Sequence, residues 1–315
     1  MALKPVIIIA GPTASGKSAL AVDLAEEFTG TVINADSMQV YAQLDVLSAR
    51  PSGPDLERAP HCLYGVMDAA QSCSAGHWRD MAAEKIEAAW ADQRLPIVVG
   101  GTGLYLKALM EGLSPIPEIP SSARDQATEL FERIGDVAFH DELAKRDPEI
   151  AARLPAGDRQ RMIRAFEVSL ATGRRLSDWQ KEPLSGPAVA ARFCTVMVLP
   201  ERKALYAGID ARFDRMIEQG GLDEVKALMA LNLDPALPAL KALGVPELSR
   251  YLKGDCDLAT AMEDAKRATR NFAKRQLTWL RHQLENDLKI DAQYSERLKP
   301  EIFSFIRQFL LTDPS

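Results

Sequence analysis

Apolar positions in the first hundred residues fall into two spacings. Val6–Ala10 is five apolar residues without alternation, running into a glycine, which predicts a strand buried on both faces. From Lys17 to Phe28 the spacing becomes helical, with Leu20, Leu24 and Phe28 on one stripe. TVINAD (Thr31–Asp36) predicts a second strand with Asp36 at its carboxyl end. Ala75–Gln93 predicts a helix and LPIVVGG (Leu95–Gly101) a third strand. This succession predicts an α/β fold with a parallel sheet, right-handed crossovers and ligands at the carboxyl ends of the strands.

The rhythm then breaks. Glu111–Ala123 is proline-rich and reads as a linker, Arg124 to about Arg175 is helical, and Lys181–Ala188 is a second linker. Phe193–Pro200 predicts a strand returning to the sheet, with mostly helical sequence after it. The expected organisation is a core of residues 1–114 and 188–315 interrupted by a helical insertion, 115–187.

Bulk properties narrow the function classes. A length of 315 residues, 47% of them hydrophobic, allows roughly two domains with a sizeable core. A net charge of −6 argues against a purely electrostatic nucleic-acid binder but permits a local basic surface. The apolar start is too short for a signal-peptide core or a membrane span. Cys62, Cys73, Cys194 and Cys256 form no C-x-x-C pair, so reduced thiols in a cytoplasmic protein are expected.

Chemistry enters with Gly11-Pro12-Thr13-Ala14-Ser15-Gly16-Lys17-Ser18, which fits G-x-x-x-x-G-K-[ST] between a strand and a helix. Such a loop turns backbone amides and a helix N-terminus towards anionic oxygens. Lys17 would reach the distal phosphate and the Ser18 hydroxyl would ligate Mg²⁺. No acid follows the strand Pro96–Val99, where a hydrolytic P-loop protein would place a metal-organising aspartate. Asp36, in DSMQVY, ends the other strand; it suits a base on an incoming nucleophile, and equally a helix cap. GGTGLYLKAL (Gly100–Leu109) is a second glycine-rich turn, offering Thr102 and close backbone approach to a ligand. Asp158–Arg175 and Lys266–His282 are basic. The second contains no acid and interleaves Phe272 and Trp279, which favours a polyanion-facing surface over a merely solvated helix face.

In order and spacing, GPTASGKS, DSMQVY, GGTGLYLKAL, DRQRMIRAFEVSLATG and AKRQLTWLR resemble the tRNA dimethylallyltransferases, as do APHCLYGVMD and RFDRMIEQGGLDEV. The resemblance covers nearly the whole chain. It implies a P-loop NTPase-like core whose loop grips the diphosphate of dimethylallyl diphosphate through Gly11, Pro12, Thr13, Ala14, Ser15, Gly16, Lys17 and Ser18, with Mg²⁺ on Ser18. It implies Asp36 as the base that accepts a proton from the adenine amine, with Lys17 and Thr102 in the reaction centre. It implies contacts to a tRNA anticodon stem-loop at Asp36, Ser37, Met38, Gln39, Thr102, Arg124, Gln160, Arg161, Met162, Ile163, Arg164, Lys274, Arg275 and Arg281. The adenine would be flipped out of its loop and stacked. A cytoplasmic monomer is the default.

Two features depart from the pattern: Leu243-Gly244-Val245-Pro246 replaces a segment that often holds a tyrosine, and Cys62 stands where a second histidine is usual. Two other enzymes share the P-loop. A small-molecule kinase would need ATP, and Ala171–Arg175 is a faint candidate for its lid. An adenylate isopentenyltransferase would prenylate free nucleotide.

Overall fold

The computed structural model describes residues 3–312. Its strands are β1 (Lys4–Ala10), β2 (Gly30–Asn34), β3 (His61–Cys62), β4 (Leu95–Gly100), β5 (Ala191–Val198) and β6 (Leu288–Ile290). The helices are α1 (Lys17–Glu27), α2 (Gly53–Arg58), α3 (Ala75–Ala91), α4 (Gly103–Met110), α5 (Ser121–Arg146), α6 (Pro148–Arg153), α7 (Arg159–Thr172), α8 (Leu176–Trp179), α9 (Arg202–Glu218), α10 (Gly221–Ala230), α11 (Val245–Leu252), α12 (Leu258–Gln283) and α13 (Lys299–Leu311). The strands form one parallel sheet in the order β3-β2-β4-β1-β5-β6.

Strand β1 explains why the apolar run does not alternate. Ile7 and Ile9 pack on one face with Leu20 and Leu24 of α1 and with Ile302 and Ile306 of α13. Val6, Ile8 and Ala10 pack on the other with Trp78, Leu106 and Leu280. Each buried isoleucine contributes about 1.5–3 kcal/mol, so the strand that leads into the glycine loop is firmly held. With β4 and β5 on its two sides, β1 delivers that loop to the crevice at the carboxyl edge of the sheet.

Two strands and a helix went unforeseen, β3, β6 and α2. With two, three and six residues they are too short to show a period. The chain divides into two compact units, Met1–Met110 with Pro187–Ser315, and Glu111–Gly186, which opens inside the proline-rich stretch. The second unit is helical. Helix α5 is kinked at Gly135, and the core comprises Phe139, Leu143, Met162, Ile163, Phe166 and Leu176. Buried Asp147 joins its helices, accepting from the amides of Ile150 (3.1 Å) and Ser177 (2.9 Å).

The departing segment at Leu243–Pro246 has a structural role. Gly244 precedes α11 and donates its amide to the Glu247 carboxylate at 3.1 Å, so these residues start a helix.

Candidate active site

The loop after β1 curls through a turn in which the Ser15 amide donates to Pro12 O (3.3 Å), and it enters α1 through Gly16 at φ 87°. Only glycine takes that conformation without strain, and a Cβ there would also strike Tyr294 at 2.9 Å. The first-turn amides of α1, including those of Lys17 and Ser18, have no intrahelical acceptor and are available to an anion. Tyr294 props the loop from behind: its amide donates to Ser15 O (3.1 Å) and its hydroxyl to Asp23 (2.6 Å).

A pocket of about 300 Å³ lies in front, lined by Thr13–Ser18, Asp36, Gln39, Arg212 and Arg215 among others. Lys17 donates to Pro12 O at 3.2 Å, and Arg212, from α9, donates to the Thr13 hydroxyl. Burial pulls the Lys17 ammonium down to about 8; the Asp36 carboxylate opposes that fall and Arg212 adds to it. Burial also lowers Arg212, with Asp36 opposing and Arg215 assisting. Two recessed cations facing one carboxylate leave surplus positive charge, which suits a multiply charged anion. Because Lys17 binds such an anion as the ammonium, affinity for inorganic pyrophosphate should be full below pH 8. It should fall as pH rises through about 8, once the ligand's own ionisation is allowed for, as isothermal titration across pH 6.5–9.5 would read.

Asp36 lies two residues beyond β2 and caps no helix; its Oδ1 accepts from the Met38 amide (2.9 Å) in a turn. Buried Asn34 fixes it, accepting from the Asp36 amide (2.8 Å) and donating to Asp36 O and Leu63 O (both 3.0 Å). The Thr102 hydroxyl accepts from the Ser37 amide (3.0 Å), so its observed work is to fasten the Asp36 loop. Gln39 donates to Ser48 O and Ala49 O at 2.9 Å each. Farther round, Glu224 of α10 accepts from three successive amides, Asp45 (2.8 Å), Val46 (2.7 Å) and Leu47 (3.0 Å).

Two expectations need correction at the glycine turns. The Thr13 amide is not free for phosphate, because it donates to Gln276 Oε1 of α12 at 2.9 Å. The glycines after β4 admit α12 at close range: a Cβ at Gly101 would lie 2.2 Å from Gln276 Nε2, and one at Gly103 2.1 Å from the Trp279 ring.

The basic stretches also divide. In α12, Lys266 pairs with Asp214 (2.7 Å), Arg267 with Asp264 (2.5 Å) and Arg270 with Asp210 (2.6 Å), so that half binds α12 to its own acids and to α9. Lys274, Arg275 and Arg281 are exposed and form no ion pair among the described residues. A groove of about 670 Å³ runs along Lys274, Arg275, Thr278 and Trp279. In the helical unit Arg124, Gln160, Arg161 and Arg164 are exposed, Arg164 held by Glu167 at 2.6 Å. Met162 and Ile163 do not join them. They are 0% and 6% exposed in that unit's core, because successive residues of a helix face different sides.

Arg212, Asn34, Gln276 and Glu224 were not singled out from sequence. The signals available were RFDRMIEQGGLDEV, which contains Arg212 and Glu224, and AKRQLTWLR, which contains Gln276.

Comparison with known proteins gives the same picture. The IPP transferase family model matches residues 39–283, and the isopentenyl transferase model residues 4–64. The tRNA dimethylallyltransferase of Paramagnetospirillum magneticum is 55% identical over 310 residues, covering 98% of each chain. That of Rhodospirillum rubrum is 50% identical over 315 residues, covering 99% of this chain and 97% of its own. Among solved structures, a tRNA isopentenylpyrophosphate transferase from Bacillus halodurans superimposes with TM-score 0.69 at 32% identity, covering 98% of this chain and 96% of its own. A eukaryotic dimethylallyltransferase acting on tRNA does so with TM-score 0.82 at 27% identity, covering 99% and 80%. With half its sequence shared over nearly its full length, this chain belongs to the tRNA dimethylallyltransferase family.

Proposed function

We propose that this chain transfers the dimethylallyl group of dimethylallyl diphosphate to the exocyclic N6 amine of the adenine on the 3′ side of the tRNA anticodon, releasing diphosphate. The observation that supports this best is the sharing of one pocket by the Asp36 carboxylate, Lys17, Arg212 and the glycine loop. The cations and the α1 amides hold the diphosphate and neutralise the charge it gains as the allylic C–O bond breaks. The amine nitrogen forms the new C–N bond, the leaving diphosphate takes the electron pair, and Asp36 takes the proton. An aryl amine is a weak nucleophile, so orientation and leaving-group stabilisation count for more than a strong base.

Mg²⁺ fits this donor set. Among the described residues no group of three His, Cys, Asp or Glu could cage a metal, but the exposed Ser18 hydroxyl together with the oxygens of a bound diphosphate would make the sparse, oxygen-only shell that Mg²⁺ accepts. When bound it would supply further charge neutralisation of the leaving group.

The unpaired face of α12, with Lys274, Arg275 and Arg281, supports a role for that helix in holding the RNA backbone. Replacing Lys274 and Arg275 together by alanine should weaken anticodon stem-loop binding and flatten the slope of log affinity against log salt by about 1.4–1.8. An unchanged slope would remove this face from the interface. The same reading implies a cytoplasmic protein, with a monomer as the default; among the described residues no helix is long and apolar enough to cross a membrane.

The deciding experiment offers labelled dimethylallyl diphosphate, with Mg²⁺, to unmodified tRNA and in parallel to AMP and ADP. Label in tRNA alone is the expected result. Label in the free nucleotides would replace the acceptor, and no label together with ATP binding would replace the chemistry.

A further inference from the structure

One buried side chain joins parts of the site that no reaction step requires to touch. Gln276 is 6% exposed, in the C-terminal third of α12. Its Oε1 accepts the Thr13 amide of the glycine loop at 2.9 Å, and its Nε2 donates to Gly101 O, in the turn after β4, at 2.9 Å. A carboxamide accepts from one peptide through its oxygen and donates to another through its nitrogen at once. Neighbouring positions on the same helix, Lys274, Arg275 and Thr278, face outward, and Trp279 lies against Gly103. Thr13 is gripped a second time, at its hydroxyl, by Arg212 of α9. Ion pairs Lys266–Asp214 and Arg270–Asp210 lock α9 to α12.

We propose that Gln276 is a positioning residue that couples the two substrates' sites: RNA held on the outer face of α12 is felt at the diphosphate loop through the Gln276–Thr13 and Gln276–Gly101 hydrogen bonds. This rests on the reading that α12 faces tRNA. The loop can bind diphosphate only in a shape compatible with the Thr13 amide on Gln276. Ordering α12 by RNA narrows the positions open to that carboxamide and so favours one loop shape. Thermodynamic reciprocity then requires diphosphate to tighten RNA by the same factor.

The test uses the full chain and inorganic pyrophosphate with Mg²⁺, titrated with and without saturating unmodified anticodon stem-loop RNA. In the unsubstituted protein RNA should tighten pyrophosphate on the order of tenfold. In Gln276→Met, which keeps length but neither hydrogen bond, that factor should fall to about one while RNA affinity measured alone stays unchanged. Gln276→Glu, nearly isosteric and keeping only the acceptor towards Thr13, should show an intermediate factor; its thermal melt, compared with that of the methionine variant, separates lost coupling from lost folding. Coupling undiminished in both folded variants would overturn the proposal, as would its absence from the unsubstituted protein when RNA does bind. Failure of the unsubstituted protein to bind RNA at all would instead overturn the tRNA reading, and the coupling with it.

Discussion

Replacing Asp36 by asparagine is expected to slow transfer by about a hundredfold to ten-thousandfold while leaving pyrophosphate affinity at neutral pH nearly intact. That loss is about 3–5 kcal/mol of barrier, the scale of a positioned base acting on a group that must shed a proton. Asparagine keeps the oxygen that the Met38 amide uses, so the turn survives. A second readout separates a base from a scaffold. Asp36 supports the ammonium form of Lys17, so without its charge the midpoint near pH 8 for pyrophosphate binding should move downward. Single-turnover rates and a pH titration of binding give both numbers. Full activity, or lost binding with an unmoved midpoint, would reassign Asp36 to structure.

Arg212→Ala is the second large effect, and its signature is opposite at the same reporter. Removing one preorganised cation from a developing anion costs about a hundredfold to a thousandfold in rate, so kcat/KM for dimethylallyl diphosphate should fall by that much. Arg212 pushes the Lys17 ammonium towards deprotonation, so its removal should move the pH midpoint upward. Arg212→Lys should restore part of the charge effect. A longer side chain is not the issue there; lysine brings one point charge where a guanidinium presents a planar fork of donors. Two substitutions that shift one midpoint in opposite directions would locate both groups around Lys17 without a bound substrate.

What could be read from sequence follows the range of the interactions involved. The glycine loop, the strand before it and the helix after it are contiguous, and the residues that make them also display them. Asp36 was legible as a strand-end acid, but whether it capped a helix was not. That depended on Asn34, whose side chain reaches forward to Asp36 and across to Leu63. Arg212 and Gln276 act across 199 and 263 residues of chain, so although each lies in a family-like motif, no local pattern shows what it touches. The basic stretch of α12 divides for a related reason: acids of α9 pair with its first half, Lys266 and Arg270, which an acid-free run in sequence does not show. Met162 and Ile163 show the converse. Their membership of a contiguous motif suggested contact, but helical spacing with Ala165 and Phe166 places them inside.

The props behind the glycine loop bear on how the protein is made. The loop leaves the ribosome well before Gln276 and Tyr294, on which its shape depends. At ordinary rates of synthesis, about 5–20 residues per second, the two are separated by on the order of ten seconds to a minute. Through that interval a ready-made anion trap would exist only as an unsupported turn. The nascent chain should therefore acquire its sheet before it acquires any grip on diphosphate. Variants lacking residues beyond about 285 should keep much of their secondary structure and lose the ligand.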